Sequence, residues 1–210
     1  MRANSQRLSS ETVTQSIEVL RDSDPRCAEL EANGYTLVAE SWGARLRFNE
    51  DVDFSIFRQA TSKVREKGIH IQELSSEFAD ELLIVELANN ADYPNTPATF
   101  HALPTIESMR ALWREGNRIF GATDGDLLIG AISTSRREDF VELDFASILR
   151  EYRGMGIGKA LASVAILTWI ETGIHIFATG GAMTNEASLG TVRSLGFSVE
   201  EKWRSYQINS

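Results

Sequence analysis

The chain has 210 residues, 42% of them hydrophobic, and a formal net charge of −9. This length fits one domain, or one domain with an appendage, and the apolar fraction is enough for a full core. No apolar run approaches the roughly 20 residues of a membrane span, and the N-terminus lacks a signal peptide's hydrophobic segment, so we expect a cytoplasmic protein without membrane contact. The acidic charge disfavours nucleic acid as a partner and suits a cationic substrate, although solubility alone also accounts for it.

Residues that often bind metals are few in this sequence. Cys27 is the single cysteine, which excludes an internal disulfide, and we interpret it as a plain core or surface residue. The three histidines, His70, His101 and His175, do not stand at metal-ligand spacing. The sequence therefore predicts no metal site.

The first part of the chain is predicted to form a strand, a helix and a second strand. Residues 13–20 alternate loosely, residues 23–33 indicate a short helix that ends at Gly34, and residues 35–48 indicate a strand. The same order recurs near the C-terminus, which favours an internal repeat over chance similarity. The matching positions are 17–20 with 174–177, Leu30, Gly34 and Tyr35 with Leu195, Gly196 and Phe197, and Trp42 with Trp203.

The middle of the chain is predicted to mix helices and strands. Residues 91–98 contain two prolines, which forbid helix and predict a rigid loop, either a wall for a ligand or a stiff connector. The sequence Thr-Asp-Gly-Asp at 123–126 predicts a hairpin between two antiparallel strands. The predicted helices cover 49–67, 75–91 and 105–117, and the predicted strands cover 69–74, 118–122 and 127–133.

A glycine-rich stretch joins the next strand to the next helix. Residues 141–148 are predicted to form a strand that runs into Gly154, Gly156 and Gly158, and the apolar residues of 157–169 predict a buried helix after it. Glycines let the backbone approach a bulky ligand, and a helix N-terminus brings free N–H groups and about half a positive charge. The stretch therefore predicts a phosphate site.

The spacing of the glycines indicates which phosphate ligand is bound. Neither the dinucleotide pattern G-x-G-x-x-G nor a Gly-Lys-Ser/Thr ending is present. Arg153, Gly156 and Gly158 instead stand as R-x-x-G-x-G, and the stretch Tyr-Arg-Gly-Met-Gly-Ile-Gly-Lys-Ala-Leu resembles the acetyl-coenzyme A loop of the GNAT family of N-acetyltransferases. Asn185, followed at plus ten by Leu-Gly-Phe, resembles that family's second motif. The resemblance covers roughly residues 69–210.

The resemblance implies an α/β fold with a mixed sheet and helices on both faces, in the order β-α-α-β-β-β-α-β-α-β. It implies a GNAT domain over 69–210, joined by a linking helix within 49–68 to an N-terminal appendage, 1–48. This appendage would be the trailing half of a second, truncated GNAT unit. It could pack on its own chain or on a second copy, which would make a homodimer.

The resemblance also implies acetyl-coenzyme A as co-substrate, with no metal. Backbone groups around Ile148, Leu149 and Arg150 would pair with the pantetheine arm like an added strand. Asn185 would reach the arm from the other side. The pyrophosphate would be held by Arg153 and by the backbone at Gly154, Met155, Gly156, Ile157, Gly158 and Lys159, although an exposed lysine such as Lys159 is often merely solvated.

Glu142 is predicted to be the general base that removes a proton from the acceptor amine. It lies six residues before Ile148, so an unbroken strand would place both side chains on one face. The histone-modifying branch of the family has a catalytic glutamate at this spacing. Asp144 shares that face and is the second candidate. The alternative is that both acids lie on a solvated face.

The residue that would protonate the leaving thiolate is less clearly indicated. Many family members carry a tyrosine seven residues after the motif asparagine, where this sequence has Val192. Tyr206 or Tyr152 could take this role. Alternatively, no acid is needed, because a thiolate with a pKa near 8.5 leaves well at neutral pH.

Together these features predict an N-acetyltransferase that moves an acetyl or another small acyl group from coenzyme A to a primary amine of a small molecule or peptide by direct attack. The alternative is a non-catalytic acyl-coenzyme A sensor or interaction module. That alternative is motivated by Val192 and by the truncated N-terminal half.

Overall fold

The computed structural model describes residues 17–49, 53–92 and 103–208. Its strands are β1 (Ile17–Arg21), β2 (Tyr35–Arg47), β3 (Ile69–Leu74), β4 (Arg118–Asp124), β5 (Leu127–Arg136), β6 (Val141–Ile148), β7 (Ile176–Ala182) and β8 (Ser198–Ile208). Its α-helices are α1 (Arg26–Ala32), α2 (Ser55–Arg65), α3 (Ala79–Asn89), α4 (Ile106–Arg114), α5 (Ile157–Ile170) and α6 (Glu186–Ser194). Short 3-10 turns cover Ser76–Phe78, Asn90–Asp92 and Arg150–Tyr152.

All of these strands belong to one sheet, in the order β1-β8-β2-β7-β6-β5-β4-β3. Neighbouring strands are antiparallel except β6 and β7, which are parallel. From β3 onwards the elements follow the predicted order, and the predicted mixed α/β fold is confirmed.

Strand β7 is longer than the sequence predicted. The sequence predicts a strand over 174–179 that ends before the pair Gly180 and Gly181. In the structure Gly180 pairs with Gly43 and Gly181 with Trp42, so pairing with β2 extends β7 to its observed end.

The linking helix is shorter than predicted, because it begins at Ser55. The carboxylate of Asp53 accepts a hydrogen bond from the backbone N–H of Ser55 at 2.8 Å, which satisfies one of the free donors at the helix start. The predicted proline-containing loop at 91–98 lies mostly outside the described residues.

The N-terminal segment forms the predicted strand, helix and strand within its own chain. β2 lies between β7 and β8 and pairs with both, and β1 pairs with the outer edge of β8. The division predicted near residue 48 therefore separates two segments that share one sheet. The interpretation of the segment as half of a second unit stays a prediction.

The four strands β1-β8-β2-β7 have a symmetric order. It is unchanged when β1 is exchanged with β7 and β2 with β8. This order is compatible with the internal repeat predicted from the sequence, which stays a prediction.

Helices cover the two faces of the sheet unequally. α2, α5 and α6 pack on one face over the larger core, which includes Trp42, Phe57, Phe177 and Ile166. α3 and α4 pack on the opposite face beside Ile119. Within the described ranges, no helix has the length and apolar character needed to cross a bilayer.

Candidate functional site

Strands β6 and β7 separate partway along their length. Their parallel pairing covers Val141 with Phe177, Glu142 with Ala178 and Leu143 with Thr179. Beyond these pairs β6 stays bonded to β5 and β7 stays bonded to β2, but the two strands no longer pair with each other. We call the gap between residues 144–148 and 180–182 the slot. Its two facing backbone edges can receive an extended ligand like an added strand.

The glycine loop lies where β6 ends and α5 begins. Gly154 and Gly156 have φ angles of +75° and +90°, a left-handed conformation that other residues rarely adopt. A Cβ atom built on either glycine would meet nothing within 4 Å, so the space beside the loop is open. Gly158 has another role, because its Cβ would lie only 3.1 Å from Cδ1 of Ile148. Its missing side chain lets α5 pack closely on β6.

Helix α5 presents its N-terminus at this loop. Gly156 is the N-cap residue, no side chain caps the helix start, and no acidic residue stands in the first turn. The first N–H groups of the helix are therefore available to an anion, and the helix dipole favours one. Open space, free amides and unpaired strand edges fit the phosphates and the pantetheine arm of an acyl-coenzyme A.

The side chain of Arg153 is 39% exposed, but its hydrogen bonds are made to other parts of its own chain. Its Nε donates to the carbonyl of Ile148 at 2.9 Å, and its Nη2 donates to Oδ1 of Asn89 at 2.5 Å. The same nitrogen lies 2.7 Å from Oδ2 of Asp92. Arg153, predicted as a phosphate ligand, thus ties the glycine loop to the end of β6 and the end of α3.

Arg150 also binds Asp92, at 2.5 Å. Hydrogen bonds from Arg150 and then Arg153 lower the pKa of the Asp92 carboxyl. This shared carboxylate holds both arginines beside the glycine loop.

Two other predicted cofactor residues have internal partners. Nζ of Lys159 donates to the carbonyl of Ser194 at 3.0 Å, at the end of α6. Asn185 is the N-cap of α6, where its side-chain oxygen accepts from the N–H of Ser188 at 3.1 Å. The lysine therefore ties α5 to α6.

The other predicted cofactor residues form the framework of the loop. The N–H of Leu149 donates to the carbonyl of Ile129, and the carbonyl of Met155 accepts from Nζ of Lys67 at 3.1 Å. The side chain of Ile157 is buried in the core.

A β-bulge interrupts the alternation of β6. Strand β5 pairs Ser133 with Phe145 and Thr134 with Leu143, which leaves Asp144 as an extra residue. A bulge shifts the side-chain alternation, and Leu143 before it and Ile148 after it both pack in the core beside α5.

This bulge corrects one step of the sequence argument. Glu142 alternates with the buried Leu143, so it lies on the face opposite Ile148. The predicted shared face of Glu142 and Ile148 is wrong, because it assumed an unbroken period of two.

Asp144 lies at the apex of the slot, directly after the last β6–β7 pair. Its side chain is 25% exposed. Oδ1 accepts from Oγ of Ser135 at 2.9 Å, and Nδ2 of Asn117 lies 3.4 Å from Oδ2. Burial, and secondarily the charge of Glu142, raises the pKa of Asp144, although Ser135 and Arg137 act in the opposite direction. A carboxylate with a raised pKa is suited to accept a proton.

Glu142 is held by Arg137. Both Nε and Nη2 of Arg137 donate to Oε2 of Glu142, each at 3.1 Å. The same guanidinium lies 3.9 Å from Asp144. The two acids predicted as base candidates are therefore neighbours, and Glu142 is the more strongly paired.

Tyr206 is not brought to the slot. It is fully buried on β8 against Leu20 and Cys27, and its hydroxyl donates to Glu31 at 2.9 Å. Burial and this hydrogen bond raise the pKa of Tyr206 to about 12. Two strands, β2 and β7, lie between β8 and β6.

The two other positions considered for a general acid also have structural roles. Val192 is buried in the core, and the hydroxyl of Tyr152 donates to Asp124 at 3.1 Å. Neither side chain supplies a free proton donor.

Sequence reasoning missed the polar group that surrounds Asp144. Asn117 donates to Ser133 at 3.0 Å and approaches Asp144, and Ser135 donates to Asp144. Ser133, Thr134 and Ser135 are buried polar residues that follow the apolar first half of β5, and this change of character was the available signal. Among the described residues, no group of three His, Cys, Asp or Glu side chains could hold a metal ion.

Comparison with known proteins identifies the family. The model of the acetyltransferase (GNAT) family matches residues 85–197, which is more than half of the chain. The fold is that of a mixed α/β protein, and the chain belongs to the GNAT family. No curated protein sequence matches it.

Solved structures share this fold at low sequence identity. A GCN5-related N-acetyltransferase from Sphaerobacter thermophilus has a TM-score of 0.68 at 14% identity, covering 91% of this chain and 58% of that one. A tandem GNAT protein from the clavulanic acid biosynthesis pathway has a TM-score of 0.56 at 16% identity, covering 92% and 62%. The paia N-acetyltransferase from Thermoplasma acidophilum, solved in complex with coenzyme A, has a TM-score of 0.54 at 22% identity, covering 65% and 97%. The chain thus spans about three fifths of the first two proteins.

Proposed function

We propose that this protein transfers an acetyl or similarly small acyl group from coenzyme A to the primary amine of a small molecule or peptide. The observation that carries the proposal is the slot, which opens beside a glycine loop and a free helix N-terminus. In the reaction the neutral amine nitrogen bonds to the thioester carbonyl carbon, the carbon–sulfur bond breaks, and coenzyme A leaves as its thiolate. The nitrogen loses one proton, which the thiolate can take up. Alignment of the two reactants supplies much of the rate.

The backbone of the chain would bind the donor. The free edge of β6 over 144–148 offers main-chain groups to the pantetheine arm, and the N–H groups at the start of α5 offer donors to the pyrophosphate. Arg153 would act by positioning the loop. Asn185 would contact the arm through its amide nitrogen, since its oxygen is used as a helix cap.

Asp144 is the general base that the geometry supports best. It lies at the apex of the slot, its pKa is raised by burial, and Arg137 binds Glu142 more closely than Asp144. This assignment moves the role from Glu142, the first sequence candidate, to its neighbour.

The test measures release of thiol from acetyl-coenzyme A with a panel of primary amines. We expect turnover by the wild type and a loss of at least about 10²-fold in kcat for Asp144→Asn, with unchanged coenzyme A affinity, because a general base contributes roughly 10²- to 10⁴-fold. Glu142→Gln should lower kcat by a smaller factor than Asp144→Asn does. Coenzyme A binding without thiol release from any amine would instead support the sensor alternative.

A further inference from the structure

An open cavity of about 500 Å³ lies on the sheet face that carries α3 and α4. α4 contributes Leu112 to its wall, and the neighbouring strands β5 and β6 contribute Ser133, Ser135, Asp144 and Phe145. Sites for small molecules have volumes of roughly 300–1,000 Å³. Asp144 therefore stands at the apex of the slot and also lines a cavity large enough for a small molecule.

Asn117 lines the same cavity, between the end of α4 and the start of β4. Its Nδ2 donates to Oγ of Ser133 at 3.0 Å and lies 3.4 Å from Oδ2 of Asp144. Both contacts use the nitrogen, which fixes the orientation of the amide. Within residues 17–49, 53–92 and 103–208, Oδ1 of Asn117 accepts no hydrogen bond, so it can still accept one from a ligand.

Two contacting side chains thus offer oxygen acceptors to this cavity, the carboxylate of Asp144 and the amide oxygen of Asn117. An ammonium group has three N–H donors and no acceptor, so it matches this pair. The carboxylate also supplies the opposite charge, which strengthens such a hydrogen bond.

The rest of the wall favours an uncharged stem on that ammonium group. Leu112 and Phe145 are half-buried apolar side chains, and Leu112 packs on the core beneath α4. The charged residues of the wall are two arginines and two acids, and one of these arginines, Arg137, is bound to Glu142. The cavity therefore has no unbalanced charge for a second ionised group.

We propose that this cavity binds the acceptor, a small primary amine on an apolar alkyl or arylalkyl stem, and that Asn117 and Asp144 together bind its nitrogen. This inference rests on the proposed function, and it names the acceptor class of the same site. The amine approaches from the α4 side while the pantetheine arm lies in the slot, so the two reactants meet at Asp144.

The experiment measures acetyl transfer to butylamine, phenethylamine, putrescine, glycine and a lysine-containing peptide. We expect the highest wild-type kcat/KM for butylamine or phenethylamine. Asn117→Leu, which nearly keeps the side-chain size, should raise the KM of that amine by about tenfold or more, because a hydrogen bond to a charged group is lost. Its coenzyme A affinity should stay unchanged. Gln59→Leu, which removes an exposed amide on α2, is the control and should keep the wild-type KM.

A second variant tests the cavity without changing its polar groups. The larger side chain of Leu112→Trp should narrow the cavity and lower kcat/KM for phenethylamine by a greater factor than for butylamine. Leu87→Trp, at an exposed position of α3, is the matched control and should keep the wild-type ratio. An unchanged ratio in Leu112→Trp would overturn the cavity as the acceptor site.

Calorimetry of phenethylamine with coenzyme A present separates the two proposals. Binding that is lost in Asn117→Leu, without turnover of any amine, would retain the cavity site and remove the acyltransferase. Turnover with wild-type KM in Asn117→Leu would overturn the proposed contact and keep the acyltransferase. A loss in kcat alone would also overturn it, because Asn117 would then only position Asp144. Preference for putrescine, glycine or the peptide would overturn the acceptor class, and the absence of both binding and turnover would overturn both proposals.

Discussion

Three oxygen acceptors surround the guanidinium of Arg153, and they come from Ile148, Asn89 and Asp92. A planar guanidinium that bonds to the ends of both β6 and α3 acts through its shape as well as its charge. The motif could predict that an arginine stands here, but not where its side chain points, because that direction depends on α3, which lies far away in sequence.

We expect Arg153→Ala and Arg153→Lys to weaken coenzyme A binding by similar amounts, roughly 1.5–3 kcal/mol. A lysine keeps the charge, but its single ammonium nitrogen cannot replace the two guanidinium nitrogens that reach Ile148 on one side and Asn89 and Asp92 on the other. Calorimetric titration with coenzyme A measures the effect. Near wild-type affinity in Arg153→Lys would mean that the side chain acts on the phosphates as a simple charge.

Asp144 links the proposed chemistry to stability. Its pKa is raised above the ordinary value near 3.8, so the folded protein holds this proton more tightly than the unfolded chain does. The carboxyl therefore stabilises the fold below that ordinary pKa, and this contribution is lost as the pH rises through the raised value.

Asp144→Asn should consequently melt at a higher temperature than the wild type at pH 7, where the wild-type carboxylate is ionised and partly buried. The difference should shrink toward pH 3, where both side chains are neutral. Thermal unfolding at the two pH values checks this. A lower melting temperature for the variant at pH 7 would show that the ionised form is favoured by the fold.

At the scale of elements, the sequence predicts strand β6 and helix α5 of the site well. β6 has the predicted bounds, and α5 begins at Ile157 as predicted. The bulge at Asp144 was not predicted, because polar and apolar residues continue to alternate through it. Only the pairing with Ser133 and Thr134 on β5 reveals it.

Two glycine substitutions test the backbone conformations assigned to the start of α5 and to the interior of α6. Gly156 has φ +90°, so Gly156→Ala should lower stability by about 1–2 kcal/mol even though its Cβ meets no atom within 4 Å. Gly190 lies within α6 with similar free space and no positive φ, so Gly190→Ala should raise stability by about 0.5–1 kcal/mol. Urea unfolding measures both. The same sign for the two variants would contradict the assigned backbone conformation.

At the scale of the whole molecule, β2 joins the N-terminal segment to the rest. The sequence predicted strand, helix and strand there, because local periodicity reports elements. It could not predict that β2 lies between β7 and β8, since strand order depends on contacts across more than a hundred residues. Trp42, Ala44 and Leu46 of β2 are buried in the main core.

Removal of residues 1–48 should therefore abolish cooperative unfolding, because β7 and β8 lose their shared partner. A chain that lacks only residues 1–16 keeps every described strand and is the control. Calorimetric melting of both chains gives the comparison. If the chain that lacks residues 1–48 unfolds cooperatively at the wild-type melting temperature, the N-terminal segment is dispensable for stability.

The slot is the central claim, and a crystal structure with coenzyme A bound tests it most directly. We expect density for the pantetheine arm between residues 144–148 and 180–182, with the pyrophosphate at the amides that begin α5. Density for coenzyme A elsewhere on the protein, with the slot empty, would contradict the account.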